Sequence, residues 1–519
     1  VLRRPALAAA GIAAAATLAP LCAADAQNTT IRLRMKTDIR STDPGTNRDG
    51  PTDGVVQHMV EGLVAFREDT SVGPLLAERY DVSADGKTYT FTLRPDVRFH
   101  NGAPLTADDV VWSWQRYLDA ATQWRCRPEF TGGLAKLESI AKTDDHTVVF
   151  TFDRPSALIP ATMARVDCGG SGSTHRDSVG PDGKWRDPIG TGPFKMGEWR
   201  RGQHVELVRF DQYASRDEAR DGYTGGKKAA VDRIRFVVIP DAAAAKAALM
   251  SGASDIDPDI EPEDFAELKA RPGLKFESAT TMSMATVIFQ TRDKVMQDVR
   301  IRRALALAID TAEITDAVTA GTAKPNNSVI PISSPYYTKV QAGGYTRDLA
   351  AARKLLAEAG YGGQPIKLLA NKRFKSSFDV AVLVQAAAQQ VGLKIDIEVL
   401  DWATQLDRYT KGDFQIQSFP YSARLDPALS YEMVTGPKAT QPRKVWDNPE
   451  VEAILRQSMQ IADRGKRQVL FDTLHRRQIE ELPLIMIYNE VQIAAMRTAL
   501  NGYKAWPTGQ PRLWGVTLN

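Results

Sequence analysis

Histidine and cysteine are both scarce in this chain, with six of one and three of the other in 519 residues. The histidines, at 58, 100, 146, 175, 204 and 475, never fall at metal-ligand spacing and no His-Glu-x-x-His pattern occurs, so no metal site is expected. Charge of one sign is lacking too. The 66 basic and 63 acidic residues leave a formal +3 and are spread along the chain, which argues against nucleic acid or an anionic membrane surface as partner. Heptads, short repeats and long low-complexity segments are absent. Two catalytic look-alikes fail on detail. The segment 222–228 has the wrong glycine spacing for a phosphate loop and no Ser or Thr after its lysine, and reads as a surface loop. The segment 169–173 ends in Ser173 where a nucleophile elbow needs glycine, so a flexible Gly/Ser-rich loop over 168–183 is simpler. The chain is therefore not expected to be an enzyme or to hold a cofactor. A secreted hydrolase whose carboxylates or serine meet only in space is the alternative.

What is present begins at the amino end. Arg3 and Arg4 precede an Ala-rich apolar run to about Leu21, then Ala24-Asp25-Ala26, which reads as a secretory signal over 1–26. A spanning helix needs roughly 20 apolar residues, and Pro20 interrupts this run. Leu21 is a poor residue to precede a lipid-modified Cys22. The expected product is periplasmic, unlipidated, and starts near Gln27. Cys126 and Cys168 then remain, in a compartment that permits disulfides; one bridge is expected, with two buried free thiols as the alternative.

The body of the chain alternates strands and helices. Period-two runs mark strands at Tyr89-Phe91-Leu93, Val148-Phe150-Phe152 and Ile234-Phe236-Val238. Thr106 with Asp109 three residues on opens a helix whose Val110, Trp114 and Tyr117 share a face. Ile301, Ala304, Leu305 and Ala308 do the same over 299–310. Later, a helix from Asp379 to Gly392 leads into a strand that alternates Leu393, Ile395, Ile397 and Val399 with charged residues. This is an α/β chain, long enough for two to four domains.

Motifs in order then carry a resemblance: Thr42-Asp43-Pro44; Glu61-Gly62-Leu63-Val64; Ala84-Asp85-Gly86-Lys87 before the strand at Tyr89; Phe99-His100-Asn101-Gly102; Gly190-Thr191-Gly192-Pro193-Phe194; and Arg302-Arg303-Ala304-Leu305. With these, the chain resembles the extracellular solute-binding proteins of family 5, the peptide-, nickel- and opine-binding receptors of ABC importers. The resemblance implies a two-lobed periplasmic-binding-protein fold with an extra subdomain in lobe one. Lobe one would take 27–283 and 489–519, its subdomain about 64–190, and lobe two 284–488. The crossings would lie near 283–290 and 485–489. A monomer would close its cleft on a peptide or similar small solute and deliver it to the permease subunits of an importer in the inner membrane.

The same resemblance points to the ligand contacts. In lobe one these are Asn47, Arg48 and Asp49; in lobe two they are Phe419, Tyr421, Arg424 and Asp426, with Asn371 and Arg373 near a carboxylate contact and Trp402 as a wall. Peptide receptors of the family carry an ammonium-binding aspartate where this chain has Ala423. Its loss beside Arg424 points toward an amide, a blocked peptide or a ligand with a carboxylate, which an arginine fork suits. A structural pairing of Arg424 with Asp426 is the competing reading, and core packing is the competing reading for the three aromatic residues.

Overall fold

Strands form where period-two alternation asks for them, and their pairing shows what the apolar faces cover. In the computed structural model, which describes residues 29–46, 50–133, 135–422 and 424–519, ten strands make one mixed sheet. Its order is Ile395–Leu400, Ile366–Asn371, Ile416–Tyr421, Leu274–Phe289, Leu484–Arg497, Ile256–Asp257, Thr30–Met35, Arg233–Val238, His204–Arg209 and Phe194–Arg200. The two long central strands pair antiparallel from Leu274↔Arg497 to Ile288↔Leu484, with a register shift between Thr280 and Met284. That irregularity sits midway along a ribbon shared by two lobes, where a bulge twists and bends a pair most easily. The segment 485–489 lies inside this ribbon, and 283–290 does so up to Phe289.

Helices cover the sheet of lobe two on both faces, so the ribbon alternates strictly there. Val287 and Phe289 join the cluster of Ile366, Leu368, Val380 and Val384, while Met284 and Ile288 join that of Leu369, Phe419, Tyr431 and Trp446. Lobe one has its own core around Ile31, Leu33, Val205, Leu207, Ile234 and Phe236. Its subdomain is a separate antiparallel sheet of Ala77–Val82, Thr88–Leu93, Thr147–Phe152 and Leu137–Asp144. The helix Ala107–Leu118 presses Trp114 against Phe130 and Phe150, with ring centroids 5.0 Å apart in each case. Its start is fixed as the sequence implies: Asp109 Oδ2 accepts from Thr106 N at 2.9 Å and from Thr106 Oγ1 at 2.7 Å. Emptying a site as filled as Trp114 costs about 3–5 kcal/mol.

The glycine motifs turn out to be close approaches. A Cβ on Gly62 would stand 2.0 Å from the Gly170 carbonyl, and one on Gly192 2.4 Å from that of His58. Gly86 does supply the positive φ of its turn, at 70°. Between these segments Glu61 is buried, accepting from Lys227 Nζ at 2.9 Å, Tyr213 Oη at 2.9 Å and Thr191 Oγ1 at 3.1 Å.

Several expectations need correction. Tyr223 and Lys227 are buried, so 222–227 is an interior loop and only Lys228 is exposed; Lys227 neutralises Glu61. The 168–183 stretch is also interior in part: Cys168, Gly169 and Ser171 are buried in the 3-10 stretch Val166–Ser171, and Ser173 and Thr174 are buried just after it. Gly169 there serves both contact and conformation, since it packs on Pro44 and Gly45 and holds a φ of 66°. The helix placed after Asp379 begins earlier, as Lys375–Gln389. The strand Ile395–Leu400 is the sheet's edge, which leaves Val399 46% exposed despite its apolar alternation. Cys126 and Cys168 form the expected disulfide, with Cα atoms 5.7 Å apart.

Candidate functional site

Several segments of lobe one, with a loop and the following helix of lobe two, line a cavity of about 310 Å³ between the lobes. From lobe one come Asp53 on the helix Gly50–Val56, Arg125 just before the helix Arg127–Phe130, and Arg165 with Asp167 at the 3-10 stretch Val166–Ser171. From lobe two come Ser422, Arg424, Leu425 and Asp426, in the loop joining Ile416–Tyr421 to Pro427–Val434. Asp426 caps that helix, accepting from Ala428 N at 2.9 Å, with Pro427 at the first helical position. Ser283 of the crossing ribbon forms part of the wall.

The wall is a run of ion pairs centred on Asp167. Arg125 Nη2 donates to its Oδ2 at 2.6 Å; Arg165 donates from Nε to Oδ1 at 3.0 Å and from Nη2 to Oδ2 at 2.7 Å. Arg165 also reaches Glu129 at 2.9 Å, and Arg125 lies 3.9 Å from Asp53. Burial pushes the Asp167 carboxyl up, but the hydrogen bond from Arg165 and the charges of Arg165, Arg125 and Arg424 together hold it below the usual carboxylate range. The influence of Arg424 crosses the cleft. Arg424 itself donates from Nη1 to Ser422 Oγ at 2.9 Å, and among the described residues the buried Nε of Arg125 has no hydrogen-bond partner.

Asp426 is committed on its own side of the cleft. It accepts from Arg467 Nη1 at 2.9 Å and Nη2 at 2.7 Å, and Arg467 is further fixed by donating from Nε to the Ser458 carbonyl at 2.9 Å. Asp167 and Asp426 are thus each engaged by guanidinium groups, and Arg125, Arg165 and Arg424 make the cavity wall rich in guanidinium. Such a surface suits an incoming carboxylate better than an incoming ammonium.

A second cavity of about 320 Å³ adjoins the first at Phe66, Ala161, Leu425 and Asp426, and runs on between the subdomain and lobe two past Tyr80, Tyr336 and Arg464. Direct contacts close its far side. Ala157 N donates to the Met459 carbonyl at 2.9 Å, Leu158 of the subdomain is buried in a lobe-two cluster, and Leu425 packs on the subdomain cluster in return.

The residues singled out from sequence divide. Arg424 and Asp426 line the cavity, but they are not paired with each other among the described hydrogen bonds and ion pairs: Asp426 belongs to Arg467. Asn371 is fully buried, donating to Gln405 Oε1 at 2.7 Å and accepting from Phe374 N at 2.9 Å. It shapes the end of its strand. Arg373 is exposed beside Phe374. Trp402, Phe419 and Tyr421 belong to one aromatic group with Tyr409, whose ring stacks on Phe419 at 4.3 Å, so they form interior structure behind the loop. Asn47, Arg48 and Asp49 lie outside the described residues, as does Ala423. Reasoning from sequence missed Asp53, Arg125, Arg165 and Asp167. The one signal that could have found two of them is their position, immediately before Cys126 and Cys168.

The family model described as bacterial extracellular solute-binding proteins, family 5 Middle, matches residues 71–441. Heme-binding protein A of Haemophilus influenzae is 26% identical over 497 residues, spanning 89% of this chain and 87% of that protein. The dipeptide-binding protein of Escherichia coli is 26% identical over 505 residues, spanning 91% of each. Among solved structures, HbpA2 from Haemophilus parasuis superposes with a TM-score of 0.82 at 25% identity, covering 95% of this chain and all of that one.

Proposed function

The chain belongs to the bacterial extracellular solute-binding proteins of family 5, and from that premise we propose that it captures a peptide or peptide-like solute bearing a carboxylate and hands it to the permease subunits of an ABC importer. The lobes would divide as 27–283 with 489–519, and 284–488. The receptor would act as a monomer in the periplasm. Relatives named as dipeptide- and di/tripeptide-binding proteins support the solute class.

The observation that carries this reading is the cavity itself, walled by Arg125, Arg165 and Asp167 from one lobe and by Arg424 from the other. A solute that touches both walls favours the form in which they face each other, and stabilises it only by its difference in affinity for the two forms. The guanidinium groups of Arg424 and Arg125, on opposite walls, would take the carboxylate. The adjoining cavity, with Tyr80 and Tyr336 on its walls, would take the remainder.

The experiment is a thermal-shift panel of dipeptides, tripeptides, glutathione, their amidated forms and their N-acetyl forms, followed by X-ray scattering on the best binder. A true solute raises the melting temperature with the logarithm of its concentration and makes the protein more compact. Amidation of the carboxyl group abolishes the shift, whereas N-acetylation preserves it. Equal shifts from the acid and its amide would refute the carboxylate contact, and a binder that leaves compactness unchanged would refute closure.

A further inference from the structure

We propose that the Cys126–Cys168 disulfide is the positioning element of the arginine-lined cleft wall, so that the wall's geometry, and solute capture with it, depends on the bridge being closed. The capture clause rests on reading the interlobe cavity as the solute site. The bridge joins two segments 42 residues apart in sequence, and both sulfurs are fully buried behind the wall. Each cysteine is preceded by a residue that faces the cavity, Arg125 in one segment and Asp167 in the other, and these two are bonded to each other at 2.6 Å.

The pairing continues outward along both segments. Glu129 N donates to the Cys126 carbonyl at 3.2 Å and Cys168 N to the Arg165 carbonyl at 3.0 Å, and the side chains so placed, Arg165 and Glu129, meet at 2.9 Å. A third segment sits on the same knot. Arg125 N donates to the Gly45 carbonyl at 3.0 Å, and Trp124 Nε1 to that of Cys168 at 3.0 Å. A Cβ on Gly45 would stand 2.5 Å from the Cys168 carbonyl oxygen. Gly45, two residues after Asp43, is therefore seated directly against the bridged Cys168.

Charge alone would hold this wall poorly. The side chains of Arg125, Arg165 and Asp167 are 20%, 20% and 33% exposed, beside a cleft that fills with water when it opens. Ion pairs in that setting are screened and exchange partners readily. A covalent link one residue behind the pair fixes the relative position of the two backbones, which is what a preorganised binding wall requires.

The test uses the whole protein, 15N-labelled at arginine, with the bridge closed, reduced in place, and replaced by Cys126→Ala with Cys168→Ala; thiol labelling verifies that the reduced sample is open. The signal is water exchange of the Arg165 Nε–H, which Asp167 holds at 3.0 Å. Opening the bridge accelerates that exchange by about tenfold or more. The Nε–H groups of Arg302 and Arg467, bonded at 2.9 Å to the carbonyls of Leu482 and Ser458 in lobe two, keep their rates. An unchanged Arg165 rate overturns the proposal. So does equal acceleration at all three sites, which would mean general loosening. Should the double variant fail to fold, the reduced protein gives the same comparison. The readout needs no solute, so it can fail while the solute panel succeeds, and the reverse.

Discussion

Arg467 grips Asp426 through both terminal nitrogens, at 2.9 and 2.7 Å, with its guanidinium 5.3 Å from the ring of Tyr336 and 5.1 Å from that of Phe471. Both partners are largely buried, so the pair and the helix cap that Asp426 provides are one structural unit of lobe two. Removing one side of such a pair leaves an uncompensated charge. Asp426→Ala should cost about 3–5 kcal/mol of stability. Asp426→Asn, which retains an acceptor for Ala428 N, should cost clearly less. Urea unfolding of the two variants decides it; equal losses would show that the cap and the ion pair are not separable as described.

A second prediction concerns acid. His58 is buried, with Nδ1 at 2.9 Å from the Gly54 carbonyl and Nε2 accepting from Leu513 N at 3.1 Å, an arrangement that fixes the neutral ring. Burial first, and the charge of Lys227 second, depress its pKa from 6.5 to about 3. Because the folded value lies below the unfolded one, the unfolded chain binds the extra proton between those two values. The His58 contribution to stability is complete above pH 6.5 and declines as pH falls toward 3. The slope it adds is about 1.4 kcal/mol per pH unit. Denaturation midpoints from pH 7 to 4 should therefore fall less steeply for His58→Gln than for the wild type, and parallel curves would contradict the assignment.

Gly62 offers a test of close approach. An added methyl would lie 2.0 Å from the Gly170 carbonyl, a backbone atom that cannot step aside cheaply. Gly62→Ala should destabilise by about 1–3 kcal/mol. It should also disturb the turn that carries Asp167. Gly360→Ala is the contrast, since no atom lies within 4 Å of a Cβ there and only its φ of 66° resists. Gly62 has no positive φ of its own, so a negligible loss in Gly62→Ala would contradict the close approach.

Local signals in the sequence fared well where a single element determines the outcome. The strands at Tyr89, Val148 and Ile234 and the Thr106–Asp109 cap follow from alternation and capping chemistry that neighbours cannot easily override. What could not be read locally was burial by distant partners. Lys227 looks like a loop cation until Glu61, 166 residues away, is placed beside it. Asn371 and Tyr421 look like site residues until their strands are paired inside lobe two. Arg125 and Asp167 carry no periodic signal at all, because they meet across 42 residues through a disulfide and face a lobe contributed by a different part of the chain.

The most direct measurement is a calorimetric titration of the tightest solute from the panel into the wild type, Arg424→Ala and Arg125→Gln. The two substitutions lie on opposite walls of the one cavity. One solute per protein should bind, and loss of the charge-assisted bond in Arg424→Ala should weaken it by about tenfold to a hundredfold. Arg125→Gln should weaken it in the same direction. A folded Arg424→Ala protein and a folded Arg125→Gln protein that both bind with wild-type affinity would contradict the claim that the solute is held between the lobes at this wall.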